Sequence, residues 1–227
     1  MTLTDQDLAP ARVAGRFEAA LFDFDGTIAE SYHVWRRVDE TFLARRGIPC
    51  PDGLGAELAS RGFRAGAAWL IDRFGLDETV DEVCDEWNAL GAELYLEQVR
   101  LRPGVSEYLR ALKGAGVKTA LVTNNDPGVI AALGPHIDRR LFDAEVYGRE
   151  VRRDKRFPDI YAEGARRLGA RPERALVFED IAVGLSSAKR IGMTGVGVLS
   201  EDPHQDRDAL AAAAAITIPD FQSLACA

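Results

Sequence analysis

Residues 20–31 read ALFDFDGTIAES, and two aspartates, Asp23 and Asp25, close an otherwise apolar run. In a strand these two emerge on one side while Phe22 and Phe24 turn to the other, so the two carboxyl groups share a neighbourhood. At a separation of about 4 Å and an effective dielectric near 20, such a pair repels by about 4 kcal/mol. Either the pair is solvated at a strand end, or a positive group sits beside it and the chemistry uses both acids. Three further segments carry polar groups where a purely structural strand end needs none. LVTNN places Thr123 and Asn124 after an apolar run, RRDKRFPDIY places Lys155 just before a helix, and LVFEDIAVG ends a buried-looking strand with Glu179 and Asp180. Together these supply a nucleophile candidate, a second carboxylate, a hydroxyl and an amide, an ammonium and two further acids. Each also has a structural reading: Thr123 as a β-branched strand residue, Lys155 as one of a solvated charged run, Glu179 and Asp180 as a helix cap.

The elements that must position these groups follow from periodicity. Strands are expected at 20–24, 118–124, 144–148, 175–180, 194–200 and 216–218, with helical patterns between them, such as PDIYAEGARRLG, opened by Pro158 and closed by Gly169. Strands alternating with helices imply an α/β fold, a parallel sheet covered by helices on both faces. Residues 29–100 break the alternation. There Trp35, Val38 and Phe42 recur at helical spacing, as do Val80, Val83, Trp87, Leu90 and Leu94, which implies an inserted helical unit. The expected organisation is a Rossmann-like core of residues 1–28 and 101–227 with an α-helical domain of residues 29–100. Ligands of open parallel sheets bind at the carboxyl ends of the strands, so a unit leaving from the first strand overhangs that edge as a cap.

Composition narrows the partners. At 227 residues, 47% hydrophobic and with a net charge of -8, the chain reads as an ordinary globule without a basic patch for nucleic acid or anionic lipid. The longest apolar tract, residues 209–218, is too short for a membrane span, which needs about 20 residues. Cys50, Cys84 and Cys226 are odd in number and widely spaced, against a disulfide framework or a metal knuckle. The first sixteen residues fit neither a signal peptide nor an anchor and read as a loose leader. A cytoplasmic protein, monomer or homodimer, with a small-molecule partner and neither nucleic acid nor membrane is expected.

The ordered set of DxDGT, an apolar strand ending in Thr, a Lys three residues before Pro-Asp, and an apolar strand ending in Glu-Asp resembles the haloacid dehalogenase-like hydrolase superfamily. The likeness covers residues 19–200, and the insert resembles that superfamily's α-helical cap subfamily. The resemblance implies Asp23 as the nucleophile that takes a phosphoryl group and Asp25 as general acid and base. It also implies Thr123 and Lys155 as catalytic partners, Gly26, Thr27 and Asn124 as substrate-binding residues, and a Mg2+ ion held by Asp23, Asp25 (through its carbonyl), Asp180 and Glu179. Oxygen ligands suit Mg2+, and an aspartyl-phosphate divides one difficult displacement into two. The usual pattern is departed from in two places: Glu30 and Ser31 stand after the first motif, where an acid and a serine are common, and Ile181 stands where a Ser is common.

Asp25 separates the activities within the superfamily, because an alkoxide leaving group needs a proton and a halide does not. A small phosphate monoester and a phosphatase are therefore expected. A phosphosugar mutase resembling β-phosphoglucomutase is the alternative, and a non-catalytic phosphate-binding module is a third reading. In the insert, ASRGFRAG resembles the cap's specificity loop, with Gly62 at a turn. His33, Arg61 and Arg64 are thus expected to face the substrate.

Overall fold

The structure, a computed structural model, describes residues 2–59, 61 and 63–225; Gly62 and Cys226 lie outside the described residues. Eight strands are β1 (Ala19–Phe22), β2 (Ala29–Glu30), β3 (Arg100–Leu101), β4 (Lys118–Thr123), β5 (Ala144–Tyr147), β6 (Ala175–Glu179), β7 (Thr194–Val198) and β8 (Ile216–Ile218). Six of them form one parallel sheet in the order β5-β4-β1-β6-β7-β8. The helices are α1 (Pro10–Arg16), α2 (Tyr32–Ala44), α3 (Leu54–Ala59), α4 (Phe63–Phe74), α5 (Val80–Gln98), α6 (Val105–Gly114), α7 (Pro127–Ala132), α8 (Asp159–Leu168), α9 (Ala182–Lys189), α10 (Arg207–Ala213) and α11 (Gln222–Ala225).

The central strand explains why the sheet is covered twice. Along β1, Ala20 and Phe22 enter one apolar cluster, which Phe24 also joins, while Ala19 and Leu21 enter another on the opposite face. Phe22 stacks on Phe178 of β6 with ring centroids 4.5 Å apart, and a buried aromatic of this kind contributes about 1.5–3 kcal/mol by leaving water. α8 ends on Gly169, whose φ of 61° makes the left-handed stop its glycine supplies.

Between β1 and β4 the chain leaves the sheet through β2 and returns through β3, which pair antiparallel as a two-stranded link. Buried Arg102, just past β3, pairs with Glu30 of β2 and donates to the carbonyls of Leu199 and Pro219. Helices α2 to α5 lie beyond this link around a separate apolar cluster of Val38, Phe42, Leu43, Leu54, Leu70, Val83 and Trp87. α5 begins with a capping box in which Thr79 and Glu82 exchange hydrogen bonds.

Residues 2–16, expected as a loose leader, are ordered against the core. Asp5–Leu8 form a 3-10 turn, α1 follows, and Leu3, Leu8 and Val13 are buried in the sheet's larger cluster. Tyr108 of α6 donates to the carbonyl of Leu8 at 2.9 Å. The apolar side chains are too scattered to read as a tract, yet they fall together once the segment coils.

Candidate active site

Asp23 directly follows β1 and extends its ladder, its amide donating to the carbonyl of Phe178 at 3.0 Å. The residue is 4% exposed, and its side chain pairs through Oδ1 with the ammonium of Lys155. Lys155 lies in the connection from β5 to α8, is itself buried, and reaches Glu179 Oε1 at 2.6 Å as well. Glu179 closes β6 with no exposed surface. Its Oε1 also accepts from Tyr161 at 2.7 Å, and its Oε2 accepts from the amides of Asp180 and Ile181 at 3.1 and 3.2 Å. Glu179 therefore fixes both the lysine and the start of the next turn.

The electrostatics follow from burial. Burial pushes the Asp23 carboxyl up to about 8; Lys155 opposes that rise, and Glu179 and Asp25 add to it. Asp180 is also driven well above the usual carboxylate range, by burial first and then by Glu179 and Asp23. Burial alone would discharge Lys155, but Asp23 and Glu179 outweigh it and hold the ammonium charged. Asp23, Glu179 and Asp180 bring carboxylate oxygens within 4.8 Å of one another. Three acids thus face one ammonium, and a divalent cation would balance the remaining charge. An all-oxygen donor set fits Mg2+. Gly26, with φ of 71°, makes the approach of Asp180 possible: a Cβ there would stand 2.0 Å from Asp180 Oδ2.

Asp25 is held differently. Its Oδ1 accepts from Ser31 Oγ at 2.5 Å, from the Trp35 indole at 3.0 Å and from the Tyr95 hydroxyl; its Oδ2 accepts from Asn125 Nδ2 at 2.6 Å. Burial and Asp25 keep the Tyr95 phenol protonated, so it donates. Ser31, Trp35 and Tyr95 belong to the chain between β2 and β3, so the helical unit supplies three of these four contacts.

A cavity of about 300 Å³ opens between the strand ends and the helices. Asp23, Asp25, Gly26, Asn124, Lys155 and Asp180 line it. Thr27, Thr123 and Glu179 lie behind it, fully buried, and Thr123 Oγ1 accepts from the Asn125 amide at 3.1 Å, turning the chain after β4. His33, Arg61 and Arg64, expected at the substrate, are not among its lining residues. His33 is exposed on α2, Arg61 pairs with Glu57 at 3.0 Å and covers Trp69, and Arg64 pairs with Asp81 at 2.5 Å on the outer surface. The segment's arginines are spent on neighbouring helices.

Four residues at the site escaped the motif reading. Trp35 was legible only as a helical apolar position, Ser31 only as a departure from a pattern, and Asn125 only as the neighbour of Asn124. Tyr95 follows Leu94 in the α5 repeat and carries no local signal.

The geometry defines a class, and comparison with known proteins agrees. The model of the haloacid dehalogenase-like hydrolase family matches residues 17–192, and the chain belongs to that family. It is 30% identical over 220 residues to protein CbbY of Rhodobacter capsulatus, covering 92% of this chain and 95% of that one. It is 29% identical over 201 residues to the validoxylamine A 7'-phosphate phosphatase of Streptomyces hygroscopicus subsp. limoneus, covering 87% and 91%. Among solved structures, CbbY from Rhodobacter sphaeroides in complex with phosphate superimposes with a TM-score of 0.77 at 26% identity, over 92% of this chain and 96% of that one.

Proposed function

We propose that this protein is a Mg2+-dependent phosphatase that hydrolyses a small phosphate monoester through a phosphoaspartate on Asp23. The observation that carries the reading is the buried, lysine-paired Asp23 sharing one cavity with Asp25. A relative named as a phosphatase of a phosphorylated small molecule supports it.

Lys155 engages Asp23 Oδ1, which leaves Oδ2 to attack phosphorus and restricts the side chain to one orientation. The same ammonium, charged by its two acids, stabilises the anionic oxygens of the transferring group, with Gly26 and Asn124 forming the rest of the phosphoryl cradle, while Thr27 and Thr123 support it from behind. Asp25 gives a proton to the leaving alkoxide and then takes one from the water that cleaves the phosphoenzyme. Its contacts with Ser31, Trp35 and Tyr95 tie its aim to the helical unit, which acts as the cap of the site. Mg2+, held by Asp23, Asp180 and the Asp25 carbonyl with Glu179 behind them, would neutralise charge on the phosphoryl oxygens.

An aryl phosphate separates the two steps, because its leaving group needs little protonation. With it, Asp25→Asn is expected to build up an adduct of one phosphoryl group on Asp23 and to release phosphate slowly. Asp23→Asn is expected to show neither adduct nor turnover. Intact mass after acid quench reads the first outcome; normal turnover by Asp25→Asn, or an adduct elsewhere, removes the mechanism. Mg2+ is expected to raise the melting temperature of the wild type but not of Asp180→Asn, a readout independent of turnover. Whether a hexose 1-phosphate yields free phosphate or an isomeric ester distinguishes phosphatase from mutase.

A further inference from the structure

A buried acid of the cavity, Asp39, has no part in this chemistry. Asp39 lies on α2, is 5% exposed and lines the same cavity as Asp23 and Asp25. Among the described residues none donates a hydrogen bond to it. The nearest candidate cation on its own helix, Arg36, is bound to Glu40 at 2.8 Å instead. A buried carboxyl without a donor is costly and rare, and it raises the question of what satisfies it.

Its surroundings answer in chemical terms. Ser31, Trp35 and Asp39 follow one another at intervals of four along one face of α2. Ser31 and Trp35 hold Asp25, and Asp39 stands one turn further, a rise of about 6 Å. The wall beside it is aromatic, with Trp35 edge-on to Phe63 at 5.3 Å and Phe63 edge-on to Trp87 at 5.8 Å, all three lining the cavity. Gly55, Ala56 and Leu58 complete this end, and the cation beside them, Arg36, is the arginine already paired with Glu40. A ring with an apolar face and hydroxyl edges matches such a wall, with one hydroxyl reaching a single acceptor.

We propose that Asp39 selects the alcohol half of the ester, accepting a hydrogen bond from a hydroxyl of a cyclic polyol phosphate seated against Trp35, Phe63 and Trp87. The proposal rests on the phosphatase reading and adds the substrate class and the residue that reads it. Asp39 touches neither phosphorus nor the transferring oxygens, so its effect lies in the choice between esters.

The test compares kcat/KM for p-nitrophenyl phosphate, which has no hydroxyls, with the best of glucose 1-phosphate, glucose 6-phosphate, mannose 6-phosphate and myo-inositol 1-phosphate, in Mg2+-loaded wild type, Asp39→Ala and Asp39→Asn. The wild type is expected to prefer the polyol ester. Asp39→Ala is expected to lower that preference by about tenfold or more, the loss of one hydrogen bond to a charged group. Asp39→Asn, which keeps one acceptor oxygen, is expected to fall between. Asp39→Ala should also melt no lower than the wild type, because no protein hydrogen bond is lost and a costly buried carboxyl is removed. An unchanged preference, a wild type that favours no polyol ester, or a parallel loss with both esters accompanied by a lower melting temperature overturns the assignment. If wild type fails to turn over even the aryl phosphate, the phosphatase reading itself falls; turnover with an unmoved preference removes Asp39 alone.

Discussion

The two walls of the cavity treat buried charge in opposite ways. On the strand-end wall, Lys155 bridges Asp23 and Glu179, and Glu179 also takes a tyrosine hydroxyl and two backbone amides. On the helical wall, Asp39 is as deeply buried as Asp23 and has no donor among the described residues. A wall that performs one reaction on every substrate can be satisfied in advance, since the phosphoryl group is always the same. A wall that reads the variable part of the substrate must leave a group waiting for it. Asp25 joins the two, because three of the four contacts on its carboxylate come from the helical unit while its backbone lies three residues past the end of β1.

The strongest way to break this contrast is to make the strand-end wall resemble the other. Lys155→Met removes the ammonium from a side chain that is 3% exposed and leaves Asp23 and Glu179 without it. Removing one partner of a buried pair costs about 3–5 kcal/mol, and losing one charged donor to a transition state lowers kcat by about 10²–10³. Urea denaturation in EDTA should show the stability loss at pH 8 and a smaller one at pH 5, where Asp23, pushed up to about 8 by burial, holds a proton and the missing cation matters less. An equal loss at both pH values would show that packing, not charge, is what Lys155 supplies.

A second test works on the helical wall. Burial pushes the Asp39 carboxyl up to about 7, with Glu40 adding to it, from an ordinary value of 3.8. Between those values the folded protein holds a proton that the unfolded chain has released, so stability falls as pH rises and the cost is complete above pH 7. The full span is worth about 4 kcal/mol at most. Asp39→Asn removes this titration, so its stability relative to wild type should climb from pH 4 to pH 7 and then level off. A difference that stays flat across that range would mean that Asp39 is already partnered.

How much of this was legible beforehand follows the same division. The strand-end groups sit in contiguous motifs, because each strand delivers its residues to one edge and local alternation decides which side they face; Asp23, Lys155 and Asp180 could therefore be named from spacing. Phe22 and Phe24 entered the same cluster for the same reason. The helical wall is assembled from turns of different helices, and nothing in the spacing of Trp35, Tyr95 and Asp39 says that they converge. Asp39 follows the apolar Val38 on α2 and looks like a solvent-facing acid in sequence, yet it is buried. The segment before β1 gives no local signal either, because Leu3, Leu8 and Val13 look isolated in sequence and become neighbours only against the sheet.

The smallest expected effect sharpens the boundary of the helical wall. Arg64 and Asp81 form an ion pair whose side chains are 61% and 73% exposed, at the outer surface of the unit. Such pairs contribute little, because water and salt screen them and two long side chains must be ordered to make them. Arg64→Ala should leave the melting temperature unchanged and shift kcat/KM by less than about twofold for any ester. Arg61→Ala should do slightly more to stability, since its guanidinium also covers the Trp69 ring at 4.8 Å, yet it too should spare the choice of substrate. Steady-state kinetics on the polyol and aryl esters read both variants. A large loss confined to the polyol ester in Arg64→Ala would place this segment over the substrate and move the selective wall from Asp39 to the loop before α4.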